Sequence, residues 1–497
     1  MIRLFSTLLL LLCVHLNAQT TIHFNDIKAQ IGNTGIHISG TDYQITVPKI
    51  KPYSFLYTSS LWLGGKDVLT DSLFLAAEAY RQRGFDYKPG PIDLITNTYN
   101  PSTAAFYDKK WEISKQIIDD FKTNRLKNGY VIPNEIKEWP AHGTGNFSYN
   151  LAPFVDTDNN GKYEPEKGDY PNIKGDYMLW WVFNDLGAHT ETNSKAIGVE
   201  IHGSCYAYLN KLLNESDPDY IINRSLFFNY KVINRSTRNY KNFYAGIFND
   251  IDLGDYVDDD FAFDSINNQI VAVNNDNFDN LFGANPPMMS CQFLNQKMNS
   301  IKYYLNNFNM VNGNPNTDQD YYYYLQGKNK NNTEDSLKVR QSPCDNPNNL
   351  NSDIRVLSST RKGSLDKDSA FDLTFVYSVI NDCNKASNTA QKIKNWYEKD
   401  SFPSKSYWDL DVERNEIQSK NISVYPNPFN NLLNIDLLPG TETTQITLID
   451  AFGKVILSQT ITTNSEKIDV SKLSDGLYIL KAQSNNNIYQ FKLLKKQ

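Results

Sequence analysis

Asp156, Asp158 and Asn160 alternate with Thr157 and Asn159 and run into Gly161. Side-chain oxygens at the first, third and fifth positions of a loop, with glycine at the sixth for a sharp turn, suit an oxygen-preferring divalent cation. The turn would bring the main-chain carbonyl of Lys162 inward as a further ligand. Position twelve is Lys167, where an EF-hand carries a bidentate Glu, and Pro165 and Pro171 oppose flanking helices. The closing carboxylate must then come from Glu164, Glu166 or Asp169. Hard oxygen donors favour Ca2+ over Zn2+. The pattern predicts a calcium loop without the helices of the hand; a solvated Asx-rich turn is the alternative.

A second acidic stretch holds Asp250, Asp252, Asp255, Asp258, Asp259, Asp260 and Asp264. So many neighbouring carboxylates repel one another unless a cation or hydrogen bonds compensate. Three readings compete: a second Ca2+ site or a completion of the first, a charged exposed loop, or a catalytic pair formed by Asp252 with Asp258 or Asp259. Other chemistry finds less support. His142, His189 and His202 could make a zinc site only if the fold gathered them, and no HExxH, GxSxG or Walker A pattern occurs. Trp62, Trp180, Trp181 and Trp408 would stack on sugars if exposed, but such residues are commonly core. No catalytic residue is assigned.

These loops need a frame, and the frame reads as mainly β. Ile222–Ile233, Ile270–Val273 and Ser369–Ile380 mix β-branched and aromatic residues with polar ones, as strands do. Asp108–Asn124 and Ser387–Asp400 have helical periodicity, the first placing Trp111, Lys115, Ile118 and Phe121 near one face. Asn274–Asn351 is Asn-rich and reads as long surface loops, Tyr321–Tyr324 included.

At 497 residues the chain is long enough for two to four units. With 49 basic and 56 acidic residues its net charge of −7 argues against a nucleic-acid partner. Residues 1–18 read as a signal peptide: Arg3, the apolar stretch Leu4–Leu16, then Ala18 before the cut. Four cysteines follow, Cys205, Cys291, Cys344 and Cys383, enough for two disulfides in an exported chain. Pairing Cys344 with Cys383 would close the shorter loop. A β-rich body would occupy residues 19–412 and a polar linker 413–421.

From residue 422 a different pattern begins. Short alternating strands at Leu432–Leu437, Gln445–Asp450, Lys454–Thr460, Lys467–Val470, Leu477–Gln483 and Ile488–Leu494 are separated by turn residues, which predicts a small immunoglobulin-like β-sandwich. Gly453 and Gly476 fall where hairpin turns need a permissive backbone. Tyr425-Pro426-Asn427-Pro428 opens the module, Asp450-Ala451-Phe452-Gly453-Lys454 sits at its centre, and Leu473-Ser474-Asp475-Gly476-Leu477-Tyr478 follows. With these motifs, residues 422–497 resemble the type A sorting domain of Bacteroidota type IX secretion cargo. The resemblance implies Sec-dependent export, engagement of the type IX machinery, and a cell-surface or secreted location, with the cargo linked to surface lipopolysaccharide or released.

The body in turn resembles a group of uncharacterised Bacteroidota secreted proteins with the same tail. The matching segments are Leu61-Trp62-Leu63-Gly64-Gly65, Ala152 through Pro171, Asp250 through Asp264, and Tyr323-Tyr324-Leu325-Gln326-Gly327. That likeness brings no known activity. The expectation is a calcium-stabilised surface protein with a binding, adhesive or structural role, its partners glycans or surface proteins. The alternative is a secreted carbohydrate-active hydrolase using an Asp pair.

Overall fold

Strand Thr58–Asp67 buries Leu61 and Leu63 in one apolar cluster and Trp62 in another. A strand buried on both faces needs a layer on each side, and that requirement organises the body. The computed structural model describes residues 20–38, 45–80, 84–334, 340–345, 352–403, 422–437, 443–450, 454–484 and 487–496, and the chain divides into two compact units, residues 1–407 and 408–497. The expected signal peptide and linker lie outside the described residues.

In the first unit two antiparallel sheets have nine strands each among the described residues. The first runs Thr20–Ile22, Lys28–Ile31, Ile36–Ile38, Thr58–Asp67, Tyr240–Asp250, Ile354–Leu365, Ser300–Leu305, with Ile45–Thr46 and Leu73–Ala76 paired at its side. The second runs Asp259–Asp264, Gln269–Asn274, Met288–Phe293, Ala370–Ile380, Ser225–Asn234, Val199–Ala207, Tyr177–Asn184, Lys88–Pro89, with Trp111–Ser114 also paired to Tyr177–Asn184. Their facing side chains share one core, in which Leu61, Ile247 and Val356 join Leu179, Trp181, Phe228 and Phe375. Each such side chain contributes about 1.5–3 kcal/mol on burial. Helix Asp318–Leu325 covers the outer face of the first sheet, setting Tyr321, Tyr324 and Leu325 against Trp62, Phe248 and Tyr304. Helices Lys115–Asn124 and Ala386–Lys399 bring Ile118, Phe121 and Ile393 into the cluster on the outer face of the second, with Met178, Trp180, Tyr206 and Phe227.

The body is mainly β, as its sequence predicts, but three elements differ. Trp111–Ser114 is a strand, because it pairs with Tyr177–Trp180, and the helix starts only after Ser114 accepts the Ile117 N–H (3.3 Å). Ile222–Arg224 ends a 3-10 helix, which begins at Pro218 after the Asp217 cap. The Asn-rich stretch is not a run of surface loops: it supplies strands Met288–Phe293 and Ser300–Leu305 and a helix whose Tyr321, Tyr322 and Tyr324 are buried.

Buried acids tie the connections together. Glu78 accepts the Asp86 and Tyr87 N–H groups (3.0 and 3.1 Å), and Asp86 accepts those of Ala77 and Glu191 (both 3.1 Å). Asp185 takes the N–H groups of Ile197, Gly198 and Val199. Backbone N–H groups of this kind offset part of the desolvation cost of a buried carboxyl; burial still raises the Glu78 pKa to about 8 and holds that of Asp185 above the usual range.

The second unit has a three-stranded sheet (Ile422–Tyr425, Leu432–Leu437, Ser465–Asp469) and a four-stranded one (Val455–Ile461, Thr444–Asp450, Gly476–Ser484, Asn487–Lys495). Leu433, Ile435, Ile446, Leu448 and Leu480 share their core. This small β-sandwich matches the strand pattern of the sequence. Gly476, however, begins a strand instead of making a turn, and Gly453 lies outside the described residues.

Candidate metal loop and the clefts beside it

A two-residue ladder closes the acidic loop: Val155 pairs with Tyr170 and Phe154 with Pro171. Inside it, Asn159 (φ 57°) and Gly161 (φ 77°) adopt the left-handed conformation, which Asn and Gly tolerate best. The turn directs backbone N–H groups onto the acids. Asp156 accepts from Gly161 (2.7 Å) and Asn160 (3.2 Å), and these bonds, Gly161's foremost, hold its carboxyl below the usual range. Asp158 accepts from the Asn160 N–H (3.2 Å) and side-chain amide (2.8 Å), while the Asn160 side-chain Oδ1 accepts from Lys162 N–H (2.8 Å).

Asp169 is fully buried at the base of the loop. One of its oxygens accepts from the Thr157 N–H and hydroxyl (both 2.8 Å), the other from Glu164 N–H (2.9 Å). The result brings one oxygen each of Asp156, Asp158 and Asp169 within 4.8 Å of one another, the sole such triple of potential metal ligands among the described residues. Three ionised carboxylates at that spacing repel, and an oxygen-seeking cation is what would relieve them.

Of the three acids that could have closed the loop, the structure selects Asp169. Glu164 turns to Lys167 (2.9 Å) and to the Asn160 amide (2.7 Å), with Lys167 foremost in lowering its pKa, and Glu166 is exposed. His142 braces the loop from outside: its Nε2 accepts the Tyr163 N–H (2.9 Å) and its Nδ1 meets the Tyr149 carbonyl (3.0 Å).

The second acidic stretch does not form one site. Asp250 pairs with buried Arg355 (3.2 Å) and accepts the Tyr80 hydroxyl. Asp260 pairs with Arg340 (2.8 Å). Asp264, at the far end of its strand, caps the following turn through Ile266 and Asn267 N–H and accepts the Ser387 hydroxyl (2.7 Å). Asp255 accepts from the Asn280 amide (2.7 Å). Asp259 is 4% exposed and accepts Leu253 N–H (3.0 Å); burial, with Asp252 and Asp258 adding repulsion, pushes its carboxyl well above the usual range. Asp250, Asp260 and Asp264 are thus turned to separate partners, so the full set does not converge on one ion.

The histidines stay apart. His189 is buried between the carbonyls of Leu75 (2.9 Å) and Asp185 (2.7 Å), and His202 lies against Glu200 (3.0 Å). Cys344 and Cys383 form a disulfide with Cα atoms 5.4 Å apart. Cys205 and Cys291 are not a second one: both are buried free thiols. Strands Ala370–Ile380 and Ser225–Asn234 stand between theirs, so three strand spacings, about 14 Å, separate them, beyond the reach of a disulfide. Trp62, Trp180 and Trp181 are core residues at 0–2% exposure, unavailable for stacking on a sugar; Trp408 lies outside the described residues.

What the sequence did not reveal lies just past the loop. Tyr170–Pro171 continues into Asn172, Ile173 and Lys174, which line two neighbouring clefts. One, of about 290 Å3, reaches Trp180, His202 and Asp372. The other, of about 640 Å3, opens between this segment and the end of helix Ala386–Lys399. Neither is lined by Asp252, Asp258 or Asp259.

In the second unit, the two Pro-flanking peptide bonds Tyr425–Pro426 and Asn427–Pro428 are cis. The Asn427 side chain accepts the Leu494 N–H (2.9 Å), Phe429 N–H donates to the Leu494 carbonyl (2.8 Å), and Lys496 N–H donates to the Phe429 carbonyl (3.0 Å). Buried Tyr478 meets Phe429 edge-on (6.0 Å) and donates to the Ser474 carbonyl (2.9 Å).

Residues 423–496 match the family described as the secretion system C-terminal sorting domain. The chain is thus cargo of the type IX secretion system, exported to the cell surface or the extracellular space. No helix among the described residues is long and apolar enough to cross a membrane. Among curated proteins none matches this chain. Similar solved structures include a Bacteroides vulgatus protein with an immunoglobulin-like β-sandwich fold (18% identity, 15% of this chain and 84% of that one, TM-score 0.14). Others are a polysaccharide lyase (8%, 60% and 34%, TM-score 0.20) and a surface component of the Porphyromonas gingivalis type IX secretion system (12%, 74% and 47%, TM-score 0.14). This chain therefore spans about a third of the lyase and about half of the surface component. At these TM-scores none of the three assigns an activity to the body.

Proposed function

We propose that the body is a calcium-braced binding protein of the cell surface, and that its tail, a type A sorting domain of the Bacteroidota kind, delivers it there. Sec export after removal of residues 1–18 precedes passage through the type IX machinery, and the product is linked to surface lipopolysaccharide or released. The observation that carries the reading is the convergence of Asp156, Asp158 and Asp169 three residues before a segment shared by two clefts. A cation held there, with the Asn160 side chain and the Lys162 carbonyl as further candidate ligands, would fix the cleft wall. A binding role fits the clefts better than hydrolysis by an Asp pair, since Asp259 is buried and both clefts exclude Asp252 and Asp258.

Thermal unfolding of the full chain in ~1 mM Ca2+ and in EDTA tests the metal. For a dissociation constant of ~10 μM, native-state binding adds about 2.7 kcal/mol, a rise of a few degrees in Tm. Asp158→Asn and Asp169→Asn should abolish the rise. Metal-free purified protein with the same Tm in chelator would refute it. A chain ending at Asn421 should fail to reach the surface, and normal surface delivery of that truncation would refute the role of the tail.

A further inference from the structure

The larger cleft has a composition that selects its occupant. Four aromatic side chains form its walls: Tyr206, Tyr208, Tyr397 and Phe402. They come from strand Val199–Ala207 and the residue after it, from helix Ala386–Lys399 and from the segment that follows. Phe402 stacks on Tyr208 at 4.2 Å, and Tyr206 stacks on Phe227 at 5.3 Å, so the rings are held in place by packing rather than by a ligand. Tyr397 and Phe402 are half-buried and present ring surface to the opening.

Polar groups of both signs stand around these rings. Glu398 and Asp400 are exposed carboxylates at the rim, and Asn172 and Lys174 face them from the segment beyond the metal loop. The Lys174 ammonium lies 5.9 Å from the centres of both Tyr206 and Tyr397. Deeper in, the Tyr206 hydroxyl is buried (the residue is 1% exposed) and has no hydrogen-bond partner among the described residues, and Tyr206 belongs to the cleft lining. A buried hydroxyl left unmatched keeps its desolvation cost uncompensated, which a ligand group with both donor and acceptor capacity would relieve.

Each alternative ligand class leaves something unmatched. An organic cation would suit the rings and the carboxylates but would meet Lys174 over the same ring faces. An anion would suit Lys174 and meet Glu398 and Asp400. A purely apolar ligand would leave the Tyr206 hydroxyl unpaired. A polyhydroxylated neutral molecule uses every group: C–H faces on the rings, hydroxyls donating to Glu398 and Asp400, and hydroxyls accepting from Lys174 and Asn172. We propose that the cleft between Asn172–Lys174 and the end of helix Ala386–Lys399 binds a neutral carbohydrate, stacked on Tyr397 and Phe402 and reaching the Tyr206 hydroxyl. This inference rests on the binding role proposed above and supplies its ligand class.

Titration calorimetry of the full chain tests it, with neutral hexasaccharides of β-1,4-glucose, xylose, mannose and N-acetylglucosamine as probes, and hexagalacturonate and spermidine as charged controls. At least one neutral probe should bind with a dissociation constant below ~1 mM, and Tyr397→Ala should weaken it about tenfold, the scale of one lost stacking partner. Asp400→Asn, an exposed change, keeps the test decisive should Tyr397→Ala fail to fold, and should weaken binding about threefold. Binding of only a charged probe, no neutral binding by 10 mM, or neutral binding unmoved in both variants overturns the inference. Tm in Ca2+ and EDTA is read on the same samples. A Ca2+-dependent rise without sugar binding sinks the carbohydrate site alone; sugar binding without the rise supports the site and sinks the metal.

Discussion

His37 gives the sharpest test of the sandwich core. It lies fully buried on strand Ile36–Ile38, its ring 4.9 Å from Phe228, 5.4 Å from Phe375 and 5.6 Å from Tyr230. Burial among these rings lowers its pKa from 6.5 to about 3, with the Gly35 backbone opposing weakly. The unfolded chain therefore takes up a proton below pH 6.5, whereas the folded chain does not until about pH 3. Stability contributed by this group is complete above pH 6.5 and falls as pH drops toward 3. At pH 4.5 the loss is two pH units, or about 2.7 kcal/mol. His37→Phe removes the titration while keeping an aromatic ring, and any overpacking, about 1–3 kcal/mol, is the same at every pH. Urea unfolding at pH 7.5, 6.5, 5.5 and 4.5, followed by tryptophan fluorescence, should show the stability of the variant relative to wild type rising by about 2.7 kcal/mol across the series. Other titrating groups are common to both proteins and cancel. A difference that stays flat with pH would refute the buried neutral imidazole.

Other expectations are as direct. Burial alone would raise the Glu200 carboxyl, but His202 and Arg235 (2.8 Å) outweigh it and draw it down to about 2. Its contribution is present above pH 4.5 and lost as pH falls through 2, so Glu200→Gln should cost about 3 kcal/mol at pH 7 in denaturant unfolding, with the gap closing on acidification. In Gly161→Ala the added Cβ meets no atom within 4 Å, so its cost is the backbone at φ 77°, about 1–2 kcal/mol in EDTA. The cost should grow in Ca2+ if the turn forms the metal site, as Tm measurements of both states would show. Cys344→Ser opens a link of sequence separation 39, worth up to about 4 kcal/mol by loop entropy, and reducing agent should lower the wild-type Tm to match the variant.

The features legible in the sequence are those written locally. The acidic loop fits within fourteen residues, and its turn chemistry positions Asp156, Asp158 and Asn160 through bonds within the loop itself. Alternation also placed Ala370–Ile380 and the tail strands to within a residue or two. Where local signals conflicted, the sequence misled. The helical spacing of Trp111, Lys115 and Ile118 runs across Ser114, the cap that ends one element and starts the next. The Asn-rich stretch hid a capping box, Thr317 with Asp320, that marks the start of the tyrosine-rich helix. Asp250, Asp260 and Asp264 of the second stretch are held by distant partners, Arg355, Arg340 and Ser387, which no spacing rule could name. The larger cleft was invisible for the same reason: Tyr206 and Tyr397 meet only because strand and helix pack together.

The tail's opening motif is held by its last strand. Asn427 and Phe429 find their hydrogen-bond partners at Leu494 and Lys496, and the Lys495 ammonium reaches the Asn430 carbonyl. A polypeptide broken between Pro428 and Leu493 would keep the Pro-Asn-Pro residues yet lose the hydrogen-bond partners that hold them. The first and last residues of the sorting module are thus one structural unit: the shape of its opening motif depends on its closing strand.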